Sequence, residues 1–290
     1  MSQVVSEPNR AVERIASTIG ELPSSPAIVS AVMGLTSNLD ADPGEISRVM
    51  ATDQSLTAKV LKLSNSSFYG RSKQVCSLQE AILILGFYTV RSIVVATSTR
   101  SMFEDQGAGS PQGKLWCHSL ASAIAARQLA ARVGHPNKDE IFIAALLHDI
   151  GKLVLMKNLE EQYALLIENV EETHDEFNRL EQEQFGFNHA EVAAVLLEKW
   201  CFPTNLCEAV SQHHDLPEYS GEGPVPIAHM INLGNRLAKC IEVGFEDKHD
   251  EDLTSNEAAR ALNLTAEDIE ELIQQIREFY AAEAGIFEEK

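Results

Sequence analysis

Apolar residues recur at three- and four-residue spacing along almost the whole chain, and short polar, Pro or Gly breaks interrupt the rhythm before any long alternation develops. That pattern restricts the chain to helices joined by short turns. Over the first hundred residues it predicts helices at 10–21, at 27–39, from Pro43, from Gln54, at 78–87 and at 88–99. Ser25-Pro26, Asp42-Pro43, Asp53 and Ser77 supply starts, because a side-chain oxygen can accept from the first free backbone N–H groups. The β-branched run Ile93-Val94-Val95 would also suit a strand, but helical periodicity flanks it on both sides.

Residues 101–114 are rich in Gly, Ser and Pro towards their end and read as a loop or hinge. Helical spacing then resumes at 115–133, 138–149, 153–170, 175–184, 189–200, 204–213, 226–243 and 256–262, with a last helix opening at Thr265. The expected fold is an all-α multi-helix bundle. Its expected parts are an N-terminal helical lobe (1–105), a second helical lobe (115–245) and an acidic helical extension (246–290).

A chain of 290 residues with 44% apolar content can bury a sizeable core. No apolar run reaches the ~18–20 residues of a membrane span. The N-terminus shows no basic segment followed by an apolar one, so a cytoplasmic protein is expected. Five cysteines, odd in number and without a C-x-x-C pair, suit reduced thiols serving as small core residues. The net charge is −20 and is uneven: residues 1–110 hold ten acids and nine Lys/Arg, while residues 242–290 hold fifteen acids and four Lys/Arg. Such a surface repels phosphates and disfavours direct nucleic-acid binding.

Chemistry concentrates at helix ends. Ala144–Lys152 is an apolar run that enters His148-Asp149 and continues as Ile150-Gly151-Lys152. Imidazole and carboxylate side by side can face one divalent ion, and the two carboxylate oxygens can bridge two. His118, His189, His213 and His214 fall at or near the ends of three other predicted helices. Five imidazoles and one carboxylate exceed a single tetrahedral site and would suit two ions about 3.5–4 Å apart, if the fold brings them together. His135, His174, His229 and His249 have no partner in the sequence and read as exposed or core residues. Trp116 and Trp200 read as core.

The order of several signals resembles one family. Leu22-Pro23, Asp53-Gln54-Ser55-Leu56-Thr57-Ala58-Lys59-Val60-Leu61-Lys62-Leu63, Asn65-Ser66 and Ala81-Ile82 with Leu85-Gly86 are similar to the HDOD family of bacterial signalling proteins, relatives of the HD phosphohydrolases. The likeness spans roughly residues 15–240, and Gln54 departs from it where proline is usual. It implies an HD-like second lobe with metal ligands at His118, His148, Asp149, His189, His213 and His214. It also implies that Glu181 can be recruited to the centre and that Lys152 can approach a phosphate oxygen. Asp149 and Lys152 would then be the catalytic pair. The implied cofactor is one or two divalent transition ions (Fe, Mn, Zn or Ni).

Two departures bear on activity. Asn235 stands where the resemblance places a distal aspartate, and a neutral amide is the poorer ligand. The run from His213 to Gly223 lacks the Gly-Tyr-Pro of the cyclic di-GMP phosphodiesterase branch. No appended catalytic or DNA-binding segment is apparent. The expectation is a signalling module that binds metal with little or no turnover. Its expected partner is a regulatory protein or a nucleotide or phosphoester ligand, with neither nucleic acid nor membrane. The alternative is an active metal-dependent phosphohydrolase.

Overall fold

The computed structural model describes residues 15, 18, 26–36, 42–65, 75–103, 109–173, 175–244 and 252–288. Most of the expected helix 10–21, and also His174 and His249, lie outside the described residues. Among the described residues the chain is helical and no strand occurs. The first helices are α1 (Ala27–Thr36), α2 (Pro43–Met50), α3 (Gln54–Ser64), α4 (Leu78–Leu85) and α5 (Phe87–Arg100). There follow α6 (Pro111–Arg132), α7 (Lys138–Leu147), α8 (Ile150–Asn158), α9 (Glu160–Thr173), α10 (Phe177–Phe185), α11 (His189–Lys199), α12 (Thr204–Ser211) and α13 (Ile227–Lys239). The short α14 (Glu257–Ala261) and the long α15 (Ala266–Glu288) end the chain.

Side-chain caps explain several starts. Asp42 accepts from Gly44 N at 3.0 Å, Asp53 from Leu56 N at 2.9 Å and Ser77 from Glu80 N at 3.1 Å. Ile93-Val94-Val95 lies inside α5, where burial of all three side chains overrides their strand preference.

Three boundaries differ from the sequence reading. The stretch 101–114 is not a continuous loop: it opens with a 3-10 turn at Ser101–Phe103, and α6 already begins at Pro111. Ser110 accepts from Gly113 N at 3.0 Å and proline follows as the first helical residue, so a residue pair that looks like a break is a helix start. The expected helix 138–149 stops at Leu147, and Asp149 (φ −100°, ψ 5°) leaves the helical path before α8 begins. The expected helix 153–170 is two helices, α8 and α9, divided at Leu159 (φ −124°). The cysteines also differ: all five are free thiols, but only Cys207 is buried, and Cys76 and Cys201 are exposed.

Helix α6 is the central strut. It packs against α13 and α7, and α15 lies along it. Its small residues, Ala121, Ala123, Ala125, Ala126 and Ala130, are all fully buried and let neighbours approach closely. The approach is tightest at Gly234 of α13, where a Cβ would lie 2.8 Å from Ala126 Cβ. Trp116 and Trp200 are core residues, 1% and 3% exposed. Most of the buried apolar residues form one cluster running from Ile15 to Ala284. Helix α5 meets α7: Thr89 and Ser92 donate to the Asp139 carboxylate and carbonyl at 3.3 and 3.2 Å, and Arg91 lies 3.5 Å from Glu140. Acidic α15 docks through Ile269, Leu272 and Ile276, while Arg132 of α6 holds Asp268 and Glu271. No single described helix is long and apolar enough to cross a membrane.

Candidate metal centre

The backbone aims the imidazoles inward. A helix leaves its last carbonyls without partners, and a histidine just past the end can fold back onto one of them. His148 follows α7 and its Nδ1 lies 2.7 Å from the Ala145 carbonyl; His213 follows α12 and its Nδ1 lies 2.7 Å from the Val210 carbonyl. Each Nδ1 therefore donates, and each Nε2 lone pair is left pointing away from its own helix. His189, the first residue of α11, is fixed differently. Its Nδ1 and its backbone N–H both donate to Glu181 Oε2, at 2.6 and 2.7 Å, while Tyr163 donates to Glu181 Oε1 at 2.5 Å. Asn188 and Glu191 form a reciprocal cap that sets this helix start.

Gly151 brings the two chain segments together. A Cβ at this position would lie 2.0 Å from the His189 carbonyl oxygen, so only glycine lets the start of α8 rest on the start of α11. The result is a contact of 3.1 Å between Asp149 Oδ1 and His189 Nε2. Asp149 Oδ2 lies 2.8 Å from Lys152 Nζ, 3.4 Å from His148 Nε2 and 3.7 Å from His118 Nε2.

Five imidazoles and one carboxylate thus meet, in two groups. His118, His148 and Asp149 form one; His189, His213 and His214 form the other; within each, the candidate ligand atoms lie within 4.8 Å of one another. His148 and His213 rings link the groups at a centroid separation of 5.0 Å. Glu181 stands behind His189 with both oxygens engaged, outside both groups. Asn235 lines the small cavity of about 60 Å³ beside the cluster, its Oδ1 buried and without a hydrogen-bond partner. His118, His214, Lys152, Arg236, Lys239, Asp175, Glu176 and Phe177 also line it, and Arg236 lies 3.8 Å from Glu176. His135 and His229, expected to be exposed or core residues, are both buried; His135 bonds the Val225 carbonyl and Asn137 N, outside the cluster.

The electrostatics suit a cation. Burial pushes His118 down to about 3 and pushes His148, His213 and His214 below the ordinary histidine value, so these imidazoles are neutral. Burial also opposes charge on Asp149 and His189. His148, Lys152 and His189 outweigh it and hold Asp149 as a carboxylate, while Glu181 and Asp149 raise His189. His148 Nε2 and His213 Nε2 are buried with no hydrogen-bond partner among the described residues. Neutral imidazoles with orphaned, inward-facing lone pairs beside a carboxylate are a donor set that fits a divalent transition ion.

Sequence reasoning passed over the supports of this arrangement. Tyr163 anchors Glu181, Asn232 donates to the His213 carbonyl at 2.8 Å, and Asn256 donates to Asn232 at 3.1 Å. None lies in a motif, and only the folded chain brings them near the histidines.

The profile of the HDOD domain matches residues 22–216. An uncharacterized protein of Treponema pallidum (strain Nichols) is 22% identical over 241 residues, covering 83% of this chain and 46% of its own length, so this chain spans about half of that relative. Among solved structures, an HDOD domain protein of unknown function from Geobacter sulfurreducens is similar at TM-score 0.77 and 24% identity, covering 97% of each chain. A candidate signal transduction protein from Marinobacter aquaeolei VT8 is similar at TM-score 0.75 and 23% identity, over 99% of this chain and 68% of that one. A candidate metal-dependent phosphohydrolase from Shewanella amazonensis SB2B is similar at TM-score 0.64 and 18% identity, over 95% and 100%. At these identities the structural likeness speaks for the all-α fold. With the domain profile matching about two thirds of its length, the chain belongs to the HDOD family.

Proposed function

We propose that this chain is a bacterial signal-transduction module that binds one or two divalent transition ions and turns over phosphoesters weakly or not at all. The observation that carries the reading is the set of converging imidazoles beside a cavity lined by Asn235, whose buried, unpartnered Oδ1 is a neutral oxygen at the position where the family resemblance expects a carboxylate. An ion held there supplies a Lewis acid and lowers the pKa of a bound water. The residues present would hold it through His118, His148, Asp149, His189, His213 and His214, with Glu181 fixing His189 from behind. With Asp149 as the one carboxylate among the ligand atoms, the centre would hold its ion less tightly than a site with a second carboxylate. The expected partner is a regulatory protein that reads the state of the site.

Lys152, Arg236 and Lys239 on the cavity wall favour a second reading, a metal-dependent phosphohydrolase acting on a nucleotide or phosphoester, because cations beside a metal suit phosphate oxygens. One experiment separates the two. Metal per chain is measured by elemental analysis of tag-free protein, and a phosphomonoester and phosphodiester panel is assayed with Mn²⁺, Fe²⁺ and Ni²⁺. Stoichiometric metal without turnover supports the signalling module. Robust turnover abolished by Asp149→Ala sinks it in favour of the hydrolase. Asn235→Asp restores the missing carboxylate and is expected to tighten metal binding by about tenfold or more. Unchanged affinity in that variant would remove Asn235 as the cause of low activity.

A further inference from the structure

Asp149 shows its two oxygens to two different neighbourhoods. Oδ1 lies 3.1 Å from His189 Nε2, on the side of the His189–His213–His214 group. Oδ2 faces His148 and His118, at 3.4 and 3.7 Å. The halves differ in one decisive respect. Lys152 Nζ sits 2.8 Å from Oδ2, and Lys152 is the only Lys or Arg partner of Asp149 among the described residues. The lysine is 8% exposed, and its ammonium is flanked on another side by the Phe177 ring, 4.5 Å from the ring centroid. Its position is therefore built in by two contacts. Access does not distinguish the halves, since the cavity reaches His118 of one and His214 of the other.

A divalent ion on Oδ2 would share one carboxylate oxygen with an ammonium already bound to it. Two cations so close repel strongly in a site without bulk water. In the three-imidazole half no ammonium or guanidinium pairs with a ligand atom among the described residues, and a proton on His189 Nε2 leaves as an ion binds. We propose that Lys152 is the resident cation of the His118–His148–Asp149 half, so that the two halves are inequivalent. The His189–His213–His214 half takes the first ion, with Asp149 Oδ1 beside it. The other half takes an ion only when the Lys152 ammonium gives way. This rests on the metal centre proposed above and adds the order in which it fills.

The test is a Zn²⁺ titration of metal-free, full-length protein against a chromophoric chelator, for the wild type, Lys152→Met, His118→Ala and His213→Ala. The wild type is expected to bind one ion tightly and a second about ten- to a hundredfold more weakly. His213→Ala should remove the tight event and His118→Ala should spare it. Lys152→Met should tighten the second event until the two nearly merge. Lys152→Gln, uncharged but still able to hydrogen-bond, should do the same and serves if the methionine variant does not fold. Two equally tight ions in the wild type would overturn the proposal, as would loss of the tight event in His118→Ala or an unchanged gap in the lysine variants. Absence of any tight ion from all the folded proteins would overturn the metal centre itself.

Discussion

Gly151→Ala is the smallest change that tests how the centre is assembled. The added Cβ would lie 2.0 Å from the His189 carbonyl oxygen, 2.8 Å from its carbonyl carbon and 3.0 Å from Ala193 N. All three are backbone atoms of α11, so no side chain can swing away to make room. Because real Cβ contacts essentially never fall below 3.0 Å, α8 and α11 must separate by at least about 1 Å. Overpacking of this kind costs about 3 kcal/mol, which for a chain of this size lowers Tm by roughly 6–10 °C. The same displacement pulls Asp149 away from His189, now 3.1 Å apart. Metal ligation tolerates only a few tenths of an ångström, so affinity for the first ion should fall by about a hundredfold or more. Gly34→Ala is the control: its Cβ meets nothing within 4 Å inside α1, and the change should be neutral or stabilising by about 0.5–1 kcal/mol. Differential scanning calorimetry and metal competition on the three proteins give both numbers. A Gly151→Ala protein with wild-type Tm and wild-type affinity would refute the idea that this close approach sets the ligand geometry.

Glu181→Gln keeps a partner for Tyr163 but removes the negative charge behind His189, and metal affinity should fall by about 10- to 100-fold in the same competition assay. An unchanged affinity would make Glu181 a purely structural anchor. Asp268 is held down to about 2 by the N–H and hydroxyl of Thr265 and then by Arg132. Its folded value lies below the unfolded 3.8, so it contributes stability that is complete above 3.8 and disappears as pH falls through 2. The stability gap between wild type and Asp268→Asn should close over that window. Hydrogen exchange in α15 reports it, and a gap that persists at pH 2 would contradict the assignment.

The legible and the hidden parts of this molecule divide by physical range. Ser77 and the Asp42-Pro43 pair act on backbone groups two or three residues away, so their helix starts are written locally. Ser110-Pro111 is equally local, yet the Gly-rich sequence before it conceals a strong start inside an apparent hinge. His148, His189, His213 and His214 were legible as residues at or near helix ends, whereas His118 lies two turns inside α6 because that helix starts at Pro111; the convergence of all five was not legible, because it depends on Gly151 meeting His189 across 38 positions of sequence. Glu181 shows the limit most clearly. The family resemblance placed it near the metal, but its two oxygens are held by Tyr163 and His189, and that pairing has no trace in residue spacing.

Charge connects Asn235, Lys152 and the proposed order of filling. Within bonding distance of the ring nitrogens, the described residues supply two carboxylates, Asp149 and Glu181, and Lys152 offsets one of them. One divalent ion replaces the electrostatic deficit of several orphaned lone pairs and leaves the cluster near a single positive charge. A second ion adds two more units to a site that burial has already made hostile to charge. Asn235 contributes nothing against this, because an amide carries no charge. An anion from outside would therefore strengthen the second ion, and the cavity beside the cluster, with Arg236 and Lys239 on its wall, is where one would enter. If so, an oxyanion that draws Lys152 off Asp149 and the second metal ion should favour each other's binding, since linkage between two ligands is reciprocal. In a signalling module, that coupling would let the metal content of the centre report the presence of a phosphorylated ligand without any bond being broken.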